Sequence, residues 1–322
     1  MDKEITSSPR TCPAPISVVV ITGPTATGKT TLAIELARRF EGEIISADSM
    51  QVYRLMDIGT AKPTAAERNL VPHHLIDVAW PDESFDAAAF RLLAGDAATQ
   101  ISSRGKRVFV AGGTGLYIKV LLGGLIGGTG PDPAFRAAMR EKAATEGPEA
   151  IYAELAATDP KAATEIHPHD TFRVIRALEI INITRSPASQ LRSAHAFQEQ
   201  RFVPLILALD VDRPELYRRV EDRVETMLQA GWIEEVQELL HRGYDPMLKP
   251  LQSIGYKQLV DFLLDRHSLD QAKELIKRDT RRYVKRQLTW FRRDARINWR
   301  RPEQLDTIVS EVSTFLDQRL LR

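Results

Sequence analysis

Three observations predict an α/β fold: a parallel sheet flanked by helices, with a small all-helical insertion domain. Short apolar, β-branched runs alternate with helical segments, the pattern of strands buried on both faces. The first such run passes directly into a glycine-rich loop and then a helix. A later stretch, residues 126–199, is polar and helical with no strand signal, so it is expected to interrupt the sheet rather than join it.

The elements follow in order. Residues 16–21 read as a buried strand, ISVVVI. Gly23, Pro24, Thr25, Ala26, Thr27, Gly28, Lys29 and Thr30 come next and match G-x-x-x-x-G-K-S/T, the P-loop spacing whose backbone amides wrap diphosphate oxygens. Residues 30–38 read as the following helix, with Leu32, Ala33 and Leu36 on one face. The motif therefore stands at a strand-to-helix junction, where the helix N-terminus favours an anion. Lys29 supplies a cation, and the Thr30 hydroxyl is the expected protein ligand for Mg²⁺.

Further strands are expected over residues 43–46, 107–111 and 204–209, with a helix over 86–102. Each strand ends in polar or glycine-rich sequence: Asp48 and Ser49; Gly112, Gly113, Thr114 and Gly115; Asp210 and Asp212. Ligands of open α/β sheets sit at the carboxyl ends of strands, so these segments should meet in one crevice. Asp48 is placed to act as a general base, to help bind Mg²⁺ through water, or only to cap a turn. The glycine-rich residues 123–130 read as a hinge into the insertion. The chain then finishes in helices over 214–230, 232–242, 254–264 and 269–294. The core domain is expected to comprise residues 16–125 and 200–322, behind a disordered leader, residues 1–15.

At 322 residues the chain has length for roughly two domains. No apolar run of about 18 residues suggests a membrane span. Cys12 is the single cysteine, so a disulfide framework and a cysteine-based zinc site are excluded, and a reducing cytoplasmic setting is expected. His73 and His74 are adjacent, a poor geometry for joint metal ligation, and read as structural. The net charge of +1 hides an asymmetry: residues 277–301 hold eleven Lys/Arg against Asp279 and Asp294. A solvated helix face would explain the run. Tyr283, Trp290, Phe291 and Trp299 are interleaved with it, however, and cations among aromatics are a common RNA-binding pairing. Ile276, Tyr283, Val284, Leu288 and Phe291 keep helical spacing and should face inward.

Seven blocks give the chain a family resemblance. GPTATGKT at 23–30, ISADSMQVYRLMDIGTAKP at 45–63, PHHLIDV at 72–78 and GGTGLYIKVLLGGL at 112–125 are followed by RVIRALEI at 173–180, SIGYKQL at 253–259 and KRQLTWFRRD at 285–294. In this order they resemble the tRNA dimethylallyltransferase family, over nearly the whole chain past the leader, and without a zinc finger they resemble its bacterial type. The resemblance implies transfer of a dimethylallyl group from its diphosphate to the exocyclic amino nitrogen of the adenosine 3′ to the anticodon. The implied partners are dimethylallyl diphosphate and the tRNA anticodon stem-loop, with Mg²⁺ as cofactor, no membrane and a monomeric enzyme.

The same resemblance implies roles by position. Residues 23–30 would hold the leaving pyrophosphate, Asp48 would be the general base, Thr114 would sit beside the reacting centre, and Arg223 would contact pyrophosphate. The tRNA groove would be lined by Asp48, Ser49, Met50 and Gln51, by Thr114 and Arg136, and by Phe172, Arg173, Val174, Ile175 and Arg176. Gly255, Tyr256 and Lys257 would contribute, as would Thr280, Arg281, Arg282, Tyr283, Val284, Lys285, Arg286 and Gln287. Three rivals remain on residues alone: a nucleotide or small-molecule kinase using the loop for ATP, an isopentenyltransferase acting on free adenine nucleotide, and an RNA-binding module without turnover.

Overall fold

The computed structural model describes residues 14–125, 130–195 and 201–318. Residues 1–13 of the expected leader, Cys12 among them, and residues 126–129 of the expected hinge lie outside them. Two compact units emerge: Met1–Leu122 with Gln200–Arg322, and Gly123–Glu199.

The first unit is a six-stranded parallel sheet with helices around it. Its strands are β1 (Ile16–Thr22), β2 (Gly42–Ser46), β3 (His73–His74), β4 (Arg107–Ala111), β5 (Phe202–Leu209) and β6 (Ile297–Arg300), in the spatial order β3-β2-β4-β1-β5-β6. The sequence led to four of these. The two additions are the edges: β3, two residues paired with Ile44 and Ile45, and β6, paired with residues 206–209 of β5 inside the basic run. Parallel strands need long crossovers. Here α1 (Lys29–Arg39), α2 (Ala65–Leu70), α3 (Ala87–Ser103) and α4 (Gly115–Gly123) precede β5, while α10 (Arg213–Gln229), α11 (Trp232–His241), α12 (Tyr256–Leu263) and α13 (Leu269–Phe291) follow it. A last helix, α14 (Leu305–Asp317), lies beyond the expected end at residue 294 and closes one face. Its Ile308, Val312 and Leu316 pack with Leu32 and Leu36 of α1, Val19 and Ile21 of β1, and Phe109 of β4. Fully burying an aliphatic side chain of this kind contributes about 1.5–3 kcal/mol.

The central place of β1 decides what surrounds its loop. Residues 18–21 pair with 108–111 of β4, and residues 16–22 with 202–208 of β5. All strands run the same way, so the segments after β1, β2 and β4 leave the sheet at one edge. Two bonds lock the junction: the Thr22 hydroxyl donates to Gly112 O at 2.9 Å, and Gly112 N donates to Ile21 O at 3.2 Å.

The second unit contains α5 (Pro133–Glu146), α6 (Pro148–Thr158), α7 (Pro160–Glu165), α8 (Thr171–Thr184) and α9 (Ala188–His195). Of these, α5, α7 and α8 start on side-chain caps, where Asp132, Asp159 and Asp170 accept amides of the first turn. Val174, Ile175 and Leu178 of α8 pack with Ile151 and Leu155 of α6 in its core. Among the described residues no helix is long and apolar enough to cross a membrane.

Gly112 admits no side chain, because a Cβ there would overlap the Ala47 backbone, which has no flexible end to yield. Gly112→Ala should therefore destabilise the first unit by about 1–3 kcal/mol, read as a lowered urea midpoint with an unchanged m-value.

Candidate active site

The loop after β1 is built by its glycines and held from outside. Gly23 has φ 132° and Gly28 φ 88°, both in the region favouring glycine, and Ala26 is left-handed at 65°. The Thr27 hydroxyl donates to Pro24 O at 2.9 Å. Gln287, on α13, spans two loops with one amide: its Oε1 accepts from Thr25 N at 3.0 Å and its Nε2 donates to Gly113 O at 2.9 Å. A buried amide that uses both ends in this way ties the two loops to α13.

The loop opens into a cavity of about 490 Å³ lined by Lys29, Thr30, Asp48, Arg223, Trp232 and Tyr283, among others. Lys29 Nζ donates to Pro24 O at 3.2 Å. Removal from bulk water, then repulsion from Arg223, lowers its pKa from the ordinary 10.5 to about 8, with Asp48 opposing. Burial likewise lowers the Arg223 pKa, against Asp48. No salt bridge joins Lys29 or Arg223 to another described residue. Two half-buried cations that repel each other attract any multiply charged anion. On α10, Val220, Arg223, Val224 and Met227 face the cavity together, an i, i+3, i+4, i+7 stripe. That periodicity was available in the sequence and marks the apolar wall that motif reading missed.

Asp48 stands across from this face, in the turn after β2. Its Oδ1 accepts from Met50 N at 2.8 Å and Gln51 N at 3.4 Å, which leaves Oδ2 as the oxygen the turn does not engage. Burial first, then the Asp48 charge, pushes the Tyr283 phenol up, so Tyr283 stays protonated near that carboxylate. Thr114 does not line the cavity. Its hydroxyl oxygen accepts from Ser49 N at 3.0 Å, so it steadies the Asp48 turn from behind. Thr30 is half-buried in the first turn of α1, beside Lys29 and Asp48. Among the described residues no cluster of three His, Cys, Asp or Glu could hold a metal alone. One hydroxyl completed by diphosphate oxygens and water is nonetheless a donor set that Mg²⁺ accepts, so Thr30 fits the expected ion.

The positions expected to meet tRNA divide. Ser49, Met50, Gln51, Thr280, Tyr283, Arg286 and Gln287 line the cavity, and so does Tyr256, which is otherwise enclosed. Gly255 does not: its bare Cα makes room for the Trp232 ring. Val174, Ile175 and Val284 are corrected to core residues, each at 5% exposure or less, with no surface for a macromolecule. Phe172 at 75% exposure and its neighbour Arg173 are open on α8, and Lys257 is exposed on α12. Arg136 and Arg176 both bind the fully buried Glu179, at 2.7 and 2.5 Å, so part of each guanidinium's donor set is committed inside the second unit. Burial opposes the Glu179 charge, but bonds from Arg136, Asp132 N and Arg176 outweigh it and keep the carboxylate ionised.

The basic run is also partly neutralised. Lys277 pairs with Glu225 at 2.7 Å, Arg281 with Glu221 at 2.5 Å, Arg278 and Arg282 with Asp279, and Arg300 with Glu311. Arg286 lies over Tyr283 at 5.6 Å, and Lys285 is exposed. Asp210 and Asp212 face Arg292 and Arg301 at 3.8 and 3.9 Å instead of entering the crevice. His73 Nδ1 meets Val71 O and His74 Nε2 meets Glu43, both structural contacts.

Residues 51–294 match the family model described as IPP transferase. The chain is 52% identical to tRNA dimethylallyltransferase 2 of Geotalea uraniireducens, covering 93% of this chain and 97% of that protein. It is 49% identical to the tRNA dimethylallyltransferase of Geobacter metallireducens, over 92% and 97%. Among solved structures, it is similar to the tRNA isopentenylpyrophosphate transferase of Bacillus halodurans, with TM-score 0.70, 40% identity and coverage of 94% and 97%. It is also similar to a eukaryotic dimethylallyltransferase acting on tRNA, with TM-score 0.78, 30% identity and coverage of 92% and 77%.

The Lys29 environment sets a pH dependence. A bound diphosphate restores the proton that the bare cavity holds only to about pH 8. Affinity for a diphosphate monoester should be full below that pH. Above it, affinity should fall by up to about tenfold per unit until the higher pKa of the complex is reached. Calorimetry in two buffers of different ionisation enthalpy should report proton uptake on binding at pH 8–9.

Proposed function

The chain belongs to the IPP transferase family, and on that premise we propose that it transfers a dimethylallyl group from dimethylallyl diphosphate to tRNA. The acceptor is the exocyclic amino nitrogen of the adenosine 3′ to the anticodon, and the product is isopentenyladenosine. One observation carries this reading: Lys29 and Arg223, neither in a salt bridge with a described residue, share one cavity with the Asp48 carboxylate and an apolar patch of Val220, Val224, Met227, Trp232, Ile254 and Ile276. A diphosphate seated on Lys29 and Arg223 turns its hydrocarbon end toward that patch, and Asp48 stands where a nucleophile's proton can be received.

The chemistry needs little else. As the C1–O bond to diphosphate breaks, negative charge grows on the leaving group. Lys29, Arg223 and the loop amides stabilise it in place, with no solvent to reorganise. The amino nitrogen of adenine forms the new bond to C1 and gives its proton to Asp48, a service typically worth about 10²–10⁴-fold. Mg²⁺, held by Thr30 and the diphosphate oxygens, supplies further charge neutralisation when bound. The acceptor base must leave its stack at a cost of about a few kcal/mol. Tyr283 at the cavity offers an aromatic face for a displaced base. A single chain contains every group this scheme uses, so the enzyme is proposed to act as a monomer.

The reading is tested by incubating the protein and Mg²⁺ with dimethylallyl diphosphate and, separately, tRNA, AMP or ATP, followed by mass spectrometry. Isopentenyladenosine in tRNA alone is the expected outcome. Modified free nucleotide, or phosphate transfer from ATP, would replace it with a rival activity. Asp48→Asn should lower turnover at least about 100-fold with tRNA affinity nearly intact. Lys285 and Arg286 are exposed on α13 and form no salt bridge with another described residue, and replacing both with Ala should weaken tRNA binding and reduce the log–log salt slope by about one to two.

A further inference from the structure

We propose that Glu235 is a positioning residue for this transfer, whose carboxylate sets the Asp48 orientation through the 57–61 turn and Gln51. The proposal rests on the reading of Asp48 as general base. Glu235 lies in the first turns of α11 and is half-buried. Its Oε2 accepts from Asp57 N at 2.6 Å and Ile58 N at 2.7 Å, and its Oε1 from Gly59 N at 3.1 Å and the Tyr256 hydroxyl at 2.6 Å. Three successive amides closing on one carboxylate form an anion-binding nest, and four donors use the lone-pair capacity of a carboxylate. Glu235 is about 180 residues away in sequence from the turn it grips, so it serves this turn rather than its own helix.

The grip extends to the reacting end of the cavity. Gly59, Thr60 and Ala61 line it. The Thr60 and Ala61 carbonyls accept from Gln51 Nε2 at 3.3 and 3.1 Å, and Ser46 Oγ donates to Gln51 Oε1 at 3.0 Å. Gln51 is thus clamped through its side chain, and its backbone amide is one of the two that hold Asp48 Oδ1. Apart from the exposed Asp57 amide, each link is a hydrogen bond between half-buried or buried groups, where geometry is costly to change. The far side of the turn is fixed separately by Lys62, 2% exposed at its side chain, which bonds Asp57 and Asp77 at 2.6 Å. The Glu235 carboxylate joins the turn by hydrogen bonds to α11 and, through the Tyr256 hydroxyl, to α12. Trp232, one helical turn before Glu235, packs against Gly59, where a Cβ would collide with its indole. The same stretch of α11 therefore supplies both a cavity wall and the anchor.

A double-mutant cycle on the full chain separates positioning from general loosening. Glu235→Gln keeps the size of the side chain but turns an amide nitrogen toward the backbone donors. It should lower kcat about ten- to hundredfold and leave KM for dimethylallyl diphosphate within about twofold. In the Asp48→Asn background the same change should cost less than about threefold, because there is no base left to misplace. Equal losses in both backgrounds, or no loss in either, overturn the proposal. Tyr256→Phe removes one donor and no backbone contact, and serves if Glu235→Gln does not fold. It should lose about two- to fivefold in the wild-type background only, and equal losses in both again overturn the proposal. Wild-type turnover in Asp48→Asn alone removes the base assignment itself, and is read before the cycle is closed.

Discussion

Two like charges confined in one cavity are the constraint around which this molecule is arranged. Lys29 and Arg223 repel each other away from bulk water, and no described carboxylate forms a salt bridge with either. Such an arrangement costs stability unless an anion completes it. Much of the neighbouring structure resists relaxation of that strain. β1 lies between β4 and β5, so its loop cannot shift alone. Gln287 braces the loop from α13. The Glu235 nest and the buried Lys62 hold the turn facing it.

How much of this could be read from sequence depends on whether a feature is local. The phosphate loop was legible because strand, glycines, Lys29 and helix are contiguous, and each acts through its own backbone or charge. Edge strands were not. β3 is two histidines and β6 is Ile297–Arg300 among arginines; both are strands only because β2 and β5 present open edges to pair with. The end of the sheet was likewise hidden, since α14 follows a segment that reads as charge rather than as a turn.

Within the site the difficulty was direction rather than identity. A linear block such as residues 172–176 covers more than one helical turn, so it must contain both faces. Phe172 and Arg173 point out, whereas Val174 and Ile175 belong to the core. The basic run was legible as composition, yet Glu221, Glu225 and Glu311, which neutralise parts of it, lie elsewhere in the chain. Thr114 accepts from Ser49 N, and Gln287 spans two loops while also lining the cavity, contacts that spacing alone does not show. Spacing shows that a polar group is present, but it does not show which neighbour satisfies it.

The Gln287 amide has one further consequence. It ties the helix that carries Tyr283, Lys285 and Arg286 to Thr25 of the donor loop by a single planar group. Sliding that helix against the loop after β1 would leave Thr25 N and Gly113 O without this partner, so one side chain resists the displacement at both loops.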